Sequence, residues 1–290
     1  MDVSAWFGRS LLAIVTLVSF APAILLAAPD ETHASELGPA RLQLSFISPV
    51  QLVSESRDVT GLRLTLLYGK NADVSALDIA GGGTYSVTFA GVQLASLNWV
   101  KDQATGVQLA FFNMVEGKTS GVQLAMLGNA TKGQATGVQA GLAVNGAERI
   151  FGAQIGGVIM NAARGGGTGL QVGISNFAGG NFTGVQIGLI GNASRSNWAT
   201  LNVTGVQIGA LNLVNGSVTG LQVGALNGVG IKEGKFTGVQ IGALNLAGDC
   251  AGLQIGVFNS CKDLRGVQVG LINHIAEGTV KWLPIVNAKF

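Results

Sequence analysis

Charge is scarce in this chain: Asp, Glu, Lys and Arg make up 11% of its 290 residues, against roughly a quarter in soluble domains. That shortage argues against an ordinary cytosolic enzyme. The net charge of +2 is dispersed rather than clustered, so there is no basic field for nucleic acid and no acidic one for cationic partners. Histidine is nearly absent, with only His33 and His274. No Ser-His-Asp set, zinc-like cluster or carboxylate pair on one strand can be assembled from what is present. The expectation is a protein that is not an enzyme and carries no metal or cofactor, with His274 an ordinary residue beside a turn. Cysteine is limited to Cys250 and Cys261, so no lipoprotein-type cysteine lies near the N-terminus. The glycine triplets Gly81–Gly83 and Gly165–Gly167 lack the Lys-Ser/Thr and helix that follow a phosphate-binding loop, and read as turns.

Long apolar runs are also missing, apart from one. Arg9 precedes an apolar stretch from Leu11 to Ala28, followed by Pro29, Asp30, Glu31 and the small residues around Ala34. This pattern reads as a secretory signal peptide over residues 1–34, with Ala28 as the alternative cleavage point and a retained membrane anchor as the alternative role. Residues 35–59 form an N-terminal segment that can hold a first strand, and 60–290 a β-repeat domain.

What the chain does have is repetition. An eight-residue phrase, GVQLASLN at Gly91–Asn98 and GVQVGLIN at Gly266–Asn273, recurs twelve times without a charged residue inside any copy. Its first residues fall at 91, 106, 121, 137, 152, 169, 184, 205, 220, 238, 252 and 266. Glycine at the first and usually the fifth position is poor for a helix, so the repeat reads as strand. In GVQIGALN at Gly205–Asn212 the residues Val206, Ile208 and Ala210 share one face, while Gln207, Gly209 and Leu211 share the other. At Gly128, Val144 and Gly191 the expected Asn is displaced by one, as a β-bulge would accommodate.

Two architectures fit. The first is an antiparallel up-and-down transmembrane β-barrel of about 14–16 strands, counting Thr60–Leu67, Ser75–Gly82, the Leu42 segment and Thr279–Phe290. Turn pairs between the phrases, such as Asn215-Gly216, Glu116-Gly117 and Lys132-Gly133, suit tight hairpins. The intervals longer than 15 residues all fall in odd slots of the array, as alternating short and long rims would produce. Charges such as Lys101-Asp102, Glu148-Arg149, Lys232-Glu233 and Lys262-Asp263 sit between phrases, where a barrel meets water. A barrel implies outer-membrane lipid and the barrel-assembly machinery as partners. The alternative is a parallel β-solenoid with one coil per ~15-residue unit, whose recurring Asn would stack as a ladder. Against it stands its outer face, which would be uncharged and sticky.

The amide column Gln93, Gln108, Gln123, Gln139, Gln154, Gln171, Gln186, Gln207, Gln222, Gln240, Gln254 and Gln268 is the candidate functional feature. In a barrel it lines a lumen as a passive pore; otherwise neighbouring amides satisfy one another. Cys250 and Cys261 discriminate the two folds, because a barrel strand holds them roughly 35 Å apart whereas one folded-back coil brings them together.

The tandem GVQxGxxN units, clear from Gly91 to Asn273, resemble a family of exported bacterial surface-repeat proteins of spirochaetes and other Gram-negative lineages. The resemblance implies a secreted or outer-membrane surface protein of a Gram-negative cell, with no catalytic residues to carry over and with an unidentified surface ligand. The closing WLPIVNAKF resembles the last strand of outer-membrane barrels. The function expected first is a structural or passive-pore role, with a surface solenoid for adhesion or protein interaction as the alternative.

Overall fold

Residues one repeat apart are hydrogen-bond neighbours in parallel register throughout a computed structural model of the chain. Gly184 pairs with Gly169 on one side and with Gly205 on the other, and Gln186 with Gln171 and Gln207. Fifteen extended residues would reach about 50 Å, yet residues 15 apart sit one strand spacing, about 4.8 Å, from each other. Each repeat therefore closes into one coil, and successive coils stack. The fold is all-β, but it is a parallel β-solenoid, not an antiparallel barrel.

The structure describes residues 38–194, 201–230 and 234–290, all within a unit spanning Leu37–Phe290. The segment expected to be a signal peptide, 1–34, lies outside the described residues, as does Lys232-Glu233 of the charged turns. The strands are β1 (Ala40–Ile47), β2 (Val50–Gln51), β3 (Val59–Ala80), β4 (Gly83–Leu94), β5 (Leu97–Val115), β6 (Lys118–Gly141), β7 (Val144–Gly156) and β8 (Met160–Ala163). They continue as β9 (Gly167–Ala178), β10 (Phe182–Ser194), β11 (Leu201–Val214), β12 (Gly216–Val223), β13 (Leu226–Val229), β14 (Lys235–Ile275) and β15 (Trp282–Lys289). β14, at 41 residues, runs unbroken through several coils. Among the described strands only β2 and β15 pair antiparallel, the former against β1 and the latter against the last coil, Gly266 opposite Lys289. The C-terminal WLPIVNAKF is thus a strand folded back on the end of the stack, not the closing strand of a barrel.

The hairpin expectation fails for a physical reason. Asn215-Gly216 leads into β12, which lies parallel to β11 with Leu201 opposite Gly216. A Cβ on Gly216 would run into the Leu201 carbonyl oxygen, so the glycine permits close stacking of corners rather than a type I′ reversal. Gly117 and Gly133 likewise sit over the carbonyls of Asp102 and Gly117. The alternation of long intervals also loses its cause, because in a solenoid each coil absorbs its own insertion locally.

The inward positions of the coil at Gly205 are Gln207, Asn212, Val214, Gly216 and Val218, and the run of four non-buried residues from Ile208 to Leu211 marks a corner. Stacking repeats the valine positions as apolar columns. Val203, Val218, Phe236, Cys250 and Leu264, with Val214, Val229, Ala247, Cys261 and Ile275, form one buried cluster. Cys250 and Cys261 are both buried and free, and their thiols are in hydrogen-bond contact, which with burial pushes the Cys250 thiol far up. They face one another across one coil, a placement that barrel geometry forbids. Both are expected to ignore a water-soluble thiol reagent in the native protein and to react fully after unfolding; rapid native reaction would contradict this core.

Candidate functional site

The glutamine column does not line a lumen. Gln93 to Gln268 are 0–2% exposed, and each Nε2 from Gln108 onward donates to the Oε1 of the glutamine one coil earlier, at 2.7–2.9 Å. The column is a filled amide ladder buried inside the stacked coils, so the expected placement along a barrel lumen is corrected. A lone buried amide would cost several kcal/mol, whereas a stacked one finds its partner in the next coil.

A second ladder runs beside it with the opposite polarity. From Asn98 to Asn259 each Nδ2 donates to the Oδ1 of the asparagine one coil later, at 2.8–2.9 Å. In most coils the other Nδ2 proton goes to the carbonyl of the fourth phrase residue in the following coil, as Asn113 to Leu124 and Asn245 to Ile255, both 2.9 Å. The asparagine thereby fixes the corner that follows the phrase. Asn129, Asn145, Asn161 and Asn192 also join the ladder, although sequence spacing sets three of them aside as displaced. The extra residue is extruded instead: register shifts between Gly188 and Gly191, and Leu189 and Ile190 point outward. Because aligned side-chain amides carry dipoles as backbone amides do, opposed ladders largely cancel along the stack.

The Gln ladder has a charged end. Arg63 and Asp78 continue its column, in register with Gln43 and Gln93 respectively. Both are 0% exposed. Arg63 Nε donates to Asp78 Oδ1 at 2.8 Å and Nη2 to Oδ2 at 2.5 Å, and Nη1 reaches the Tyr85 carbonyl at 3.1 Å. Gln93 Nε2 donates to Asp78 Oδ2 at 2.9 Å, so the carboxylate meets the N–H end of the amide stack.

Nearby, burial pushes the Tyr68 phenol up to about 12, with Tyr85 and Glu55 adding to the effect and Arg63 opposing it. The folded value lies above the ordinary value of 10, so the neutral phenol is the form the fold favours. Its stabilising contribution is complete below pH 10 and is lost as pH rises through about 12. Burial raises Tyr85 as well, so alkaline titration of tyrosinate absorbance is expected to show both tyrosines above the ordinary value, with the later component lost in Tyr68→Phe. Titration of both tyrosines near 10 would refute this.

What faces outward is apolar. Columns of the fourth and seventh phrase positions, including Leu94, Ile187, Ile208, Ile241, Leu211 and Leu244, are exposed large hydrophobics. Gly173, Gly188, Gly209 and Gly224 floor a shallow groove between them, walled by Val172, Ile187, Ile208 and Val223. Charges sit away from it, on the segments between phrases, where Lys132 pairs with Glu116 and Lys262 with Glu277. The solenoid is therefore amphipathic, with an uncharged face on the phrases and a charged edge between them. The expected functional role of the amide side is not where the structure leaves room for a partner: the fourth-position column faces outward as the alternation requires, and the seventh-position column, expected beside the glutamines, turns outward with it at the corner.

His274 lies on the last coil, Nδ1 3.0 Å from Ser260 Oγ and its ring 4.1 Å from that of Trp282. Among the described residues no group of three or more His, Cys, Asp and Glu comes together. Gly81 and Gly82 stack over the carbonyls of Leu66 and Leu67, and Gly167 over that of Ile150, so both triplets are tied into backbone stacking. No protein-family model matches this chain, and no curated protein or solved structure matches it either.

Proposed function

We propose that this chain is an exported, non-catalytic solenoid of the Gram-negative cell surface that acts as an adhesion or protein-interaction module. The observation that carries this reading is the continuous uncharged face of exposed Leu, Ile and Val columns on a core already saturated by its own ladders. Contiguous apolar patches above a few hundred Å² mark interaction sites on soluble proteins. The signal-like residues 1–34 and the resemblance of the GVQxGxxN array to surface-repeat proteins support export and display. A solid core leaves no reason to invoke a pore or barrel-assembly machinery.

The test is fractionation and surface labelling. Under this reading the protein leaves the envelope without detergent, keeps one electrophoretic mobility whether or not it is heated, and is labelled on intact cells by a membrane-impermeant amine reagent at edge lysines such as Lys101 and Lys132. Heat-modifiable migration, a strict detergent requirement and discrete conductance steps in a planar bilayer would overturn it.

A further inference from the structure

We infer that the occupant of the apolar face is a second copy of this chain, packed antiparallel about a twofold axis that lies in the interface at right angles to the stack. This rests on the interaction-module reading and names its partner. Three observations support it.

The first is size. Twelve stacked coils at about 4.8 Å each make a strip about 55 Å long, and a width of about 13 Å gives roughly 700 Å² per copy, so about 1,400 Å² in a dimer. Stable specific interfaces bury about 1,600 ± 400 Å².

The second is pitch. The groove and its ridges repeat once per coil, with Ile187, Ile208 and Val223 as successive ridges over Gly188, Gly209 and Gly224. Only a partner with the same repeat distance stays in step along the whole strip, and a second copy has it by construction. A lipid surface offers no such periodicity, and a formal net charge of only +2 gives little electrostatic attraction to anionic headgroups.

The third is the position of the bulges. Four coils, opening at Gly121, Gly137, Gly152 and Gly184, carry extra residues between Gln and Asn and thrust out Met126, Leu142, Val158 and Leu189, which is 76% exposed. An axis running along the solenoid would set bulge against bulge. An axis in the interface, crossing the stack between the coils opening at Gly169 and Gly184, overlaps the whole array and puts every bulge opposite a flat coil. The coil at Gly184 then meets that at Gly169, Gly152 meets Gly205, Gly137 meets Gly220, and Gly121 meets Gly238. The interface is isologous, as closed dimers require, and the charged edges stay in water.

The experiment uses detergent-free full-length protein at micromolar concentration. Sedimentation equilibrium is expected to give twice the chain mass, and the pair Ile187→Lys with Ile208→Lys to give the monomer with an unchanged far-ultraviolet dichroism spectrum. Orientation is read with single-cysteine variants and a short bis-maleimide, the native thiols being buried. Leu94→Cys mixed with Val269→Cys is expected to cross-link, and Leu94→Cys alone is not. A monomeric wild type, a dimer untouched by the Lys pair, self-cross-linking of Leu94→Cys, or flotation as a monomer on phosphatidylcholine vesicles would each overturn the proposal. A detergent-requiring, heat-modifiable protein would instead overturn the interaction-module reading itself.

Discussion

Gly169→Ala is expected to destabilise the protein by about 3–5 kcal/mol, while Gly146→Ala changes it by less than about 1. The first glycine of every phrase from Gly91 to Gly266 has φ between +110° and +144°, a region that L side chains rarely adopt. At Gly169, with φ +140°, a Cβ would also overlap the Gly152 carbonyl oxygen of the coil beneath. Gly152 cannot give way, because the atoms met belong to stacked backbone. Gly146 is free of both constraints: its φ is not positive and a Cβ there would meet only the Asn129 oxygen, at 4.0 Å. In a stacked array, stability is a sum of coil terms and nearest-neighbour terms. A defect at Gly169 strikes two interfaces in the middle of the stack and is expected to lower and broaden the urea transition followed by circular dichroism. Equal behaviour of the two variants would show that corner packing does not explain the glycine period.

The same glycines show what was legible in the sequence and what was not. Strand identity and the column of amides follow from a two-residue alternation, and Gln207 is buried while Ile208 is exposed as that alternation requires, but the alternation fails at the corner beyond, where Leu211 is exposed and Asn212 buried. Direction is a different matter. A parallel coil and an antiparallel hairpin use the same alternation, and Asn215-Gly216 suits either a type I′ turn or a corner where backbones touch. The misleading step is to assign the uncharged outer face to lipid, although protein partners also select for it. Cys250 and Cys261 hold the better signal: each falls on a buried column of Val, Phe and Ala, and only a folded-back coil makes those columns adjacent. Arg63 and Asp78 escape notice because the degenerate early repeats hide that they occupy the glutamine column. Numbering those repeats by the 15-residue step places both at the third phrase position.

That column gives the second large effect. Asp78→Asn is expected to cost about 3–5 kcal/mol, the usual penalty for leaving a buried charge without its partner. The Arg63 guanidinium is a buried cation with 0% exposure, and it has no water to replace a lost carboxylate contact. In the variant the amide oxygen can still accept from Nε and the Tyr85 carbonyl from Nη1, but Nη2 faces an amide N–H in place of its acceptor. Arg63→Gln alone is expected to be costly as well, since it strands Asp78 above the amide stack. The double variant Arg63→Gln with Asp78→Gln removes both charges and makes the amide column continuous from Gln43 to Gln93, each amide within one coil of the next. It is therefore expected to recover most of the loss, because a buried ion pair can be exchanged for well-matched neutral groups at little net cost. A double-mutant cycle on urea unfolding, with Arg63→Gln and Asp78→Gln as the singles, measures this, and recovery requires a coupling at least as large as one single loss, about 3–5 kcal/mol. Additive losses in the double variant would mean that the N-terminal coils depend on the ion pair itself, not on continuity of the hydrogen-bonded column.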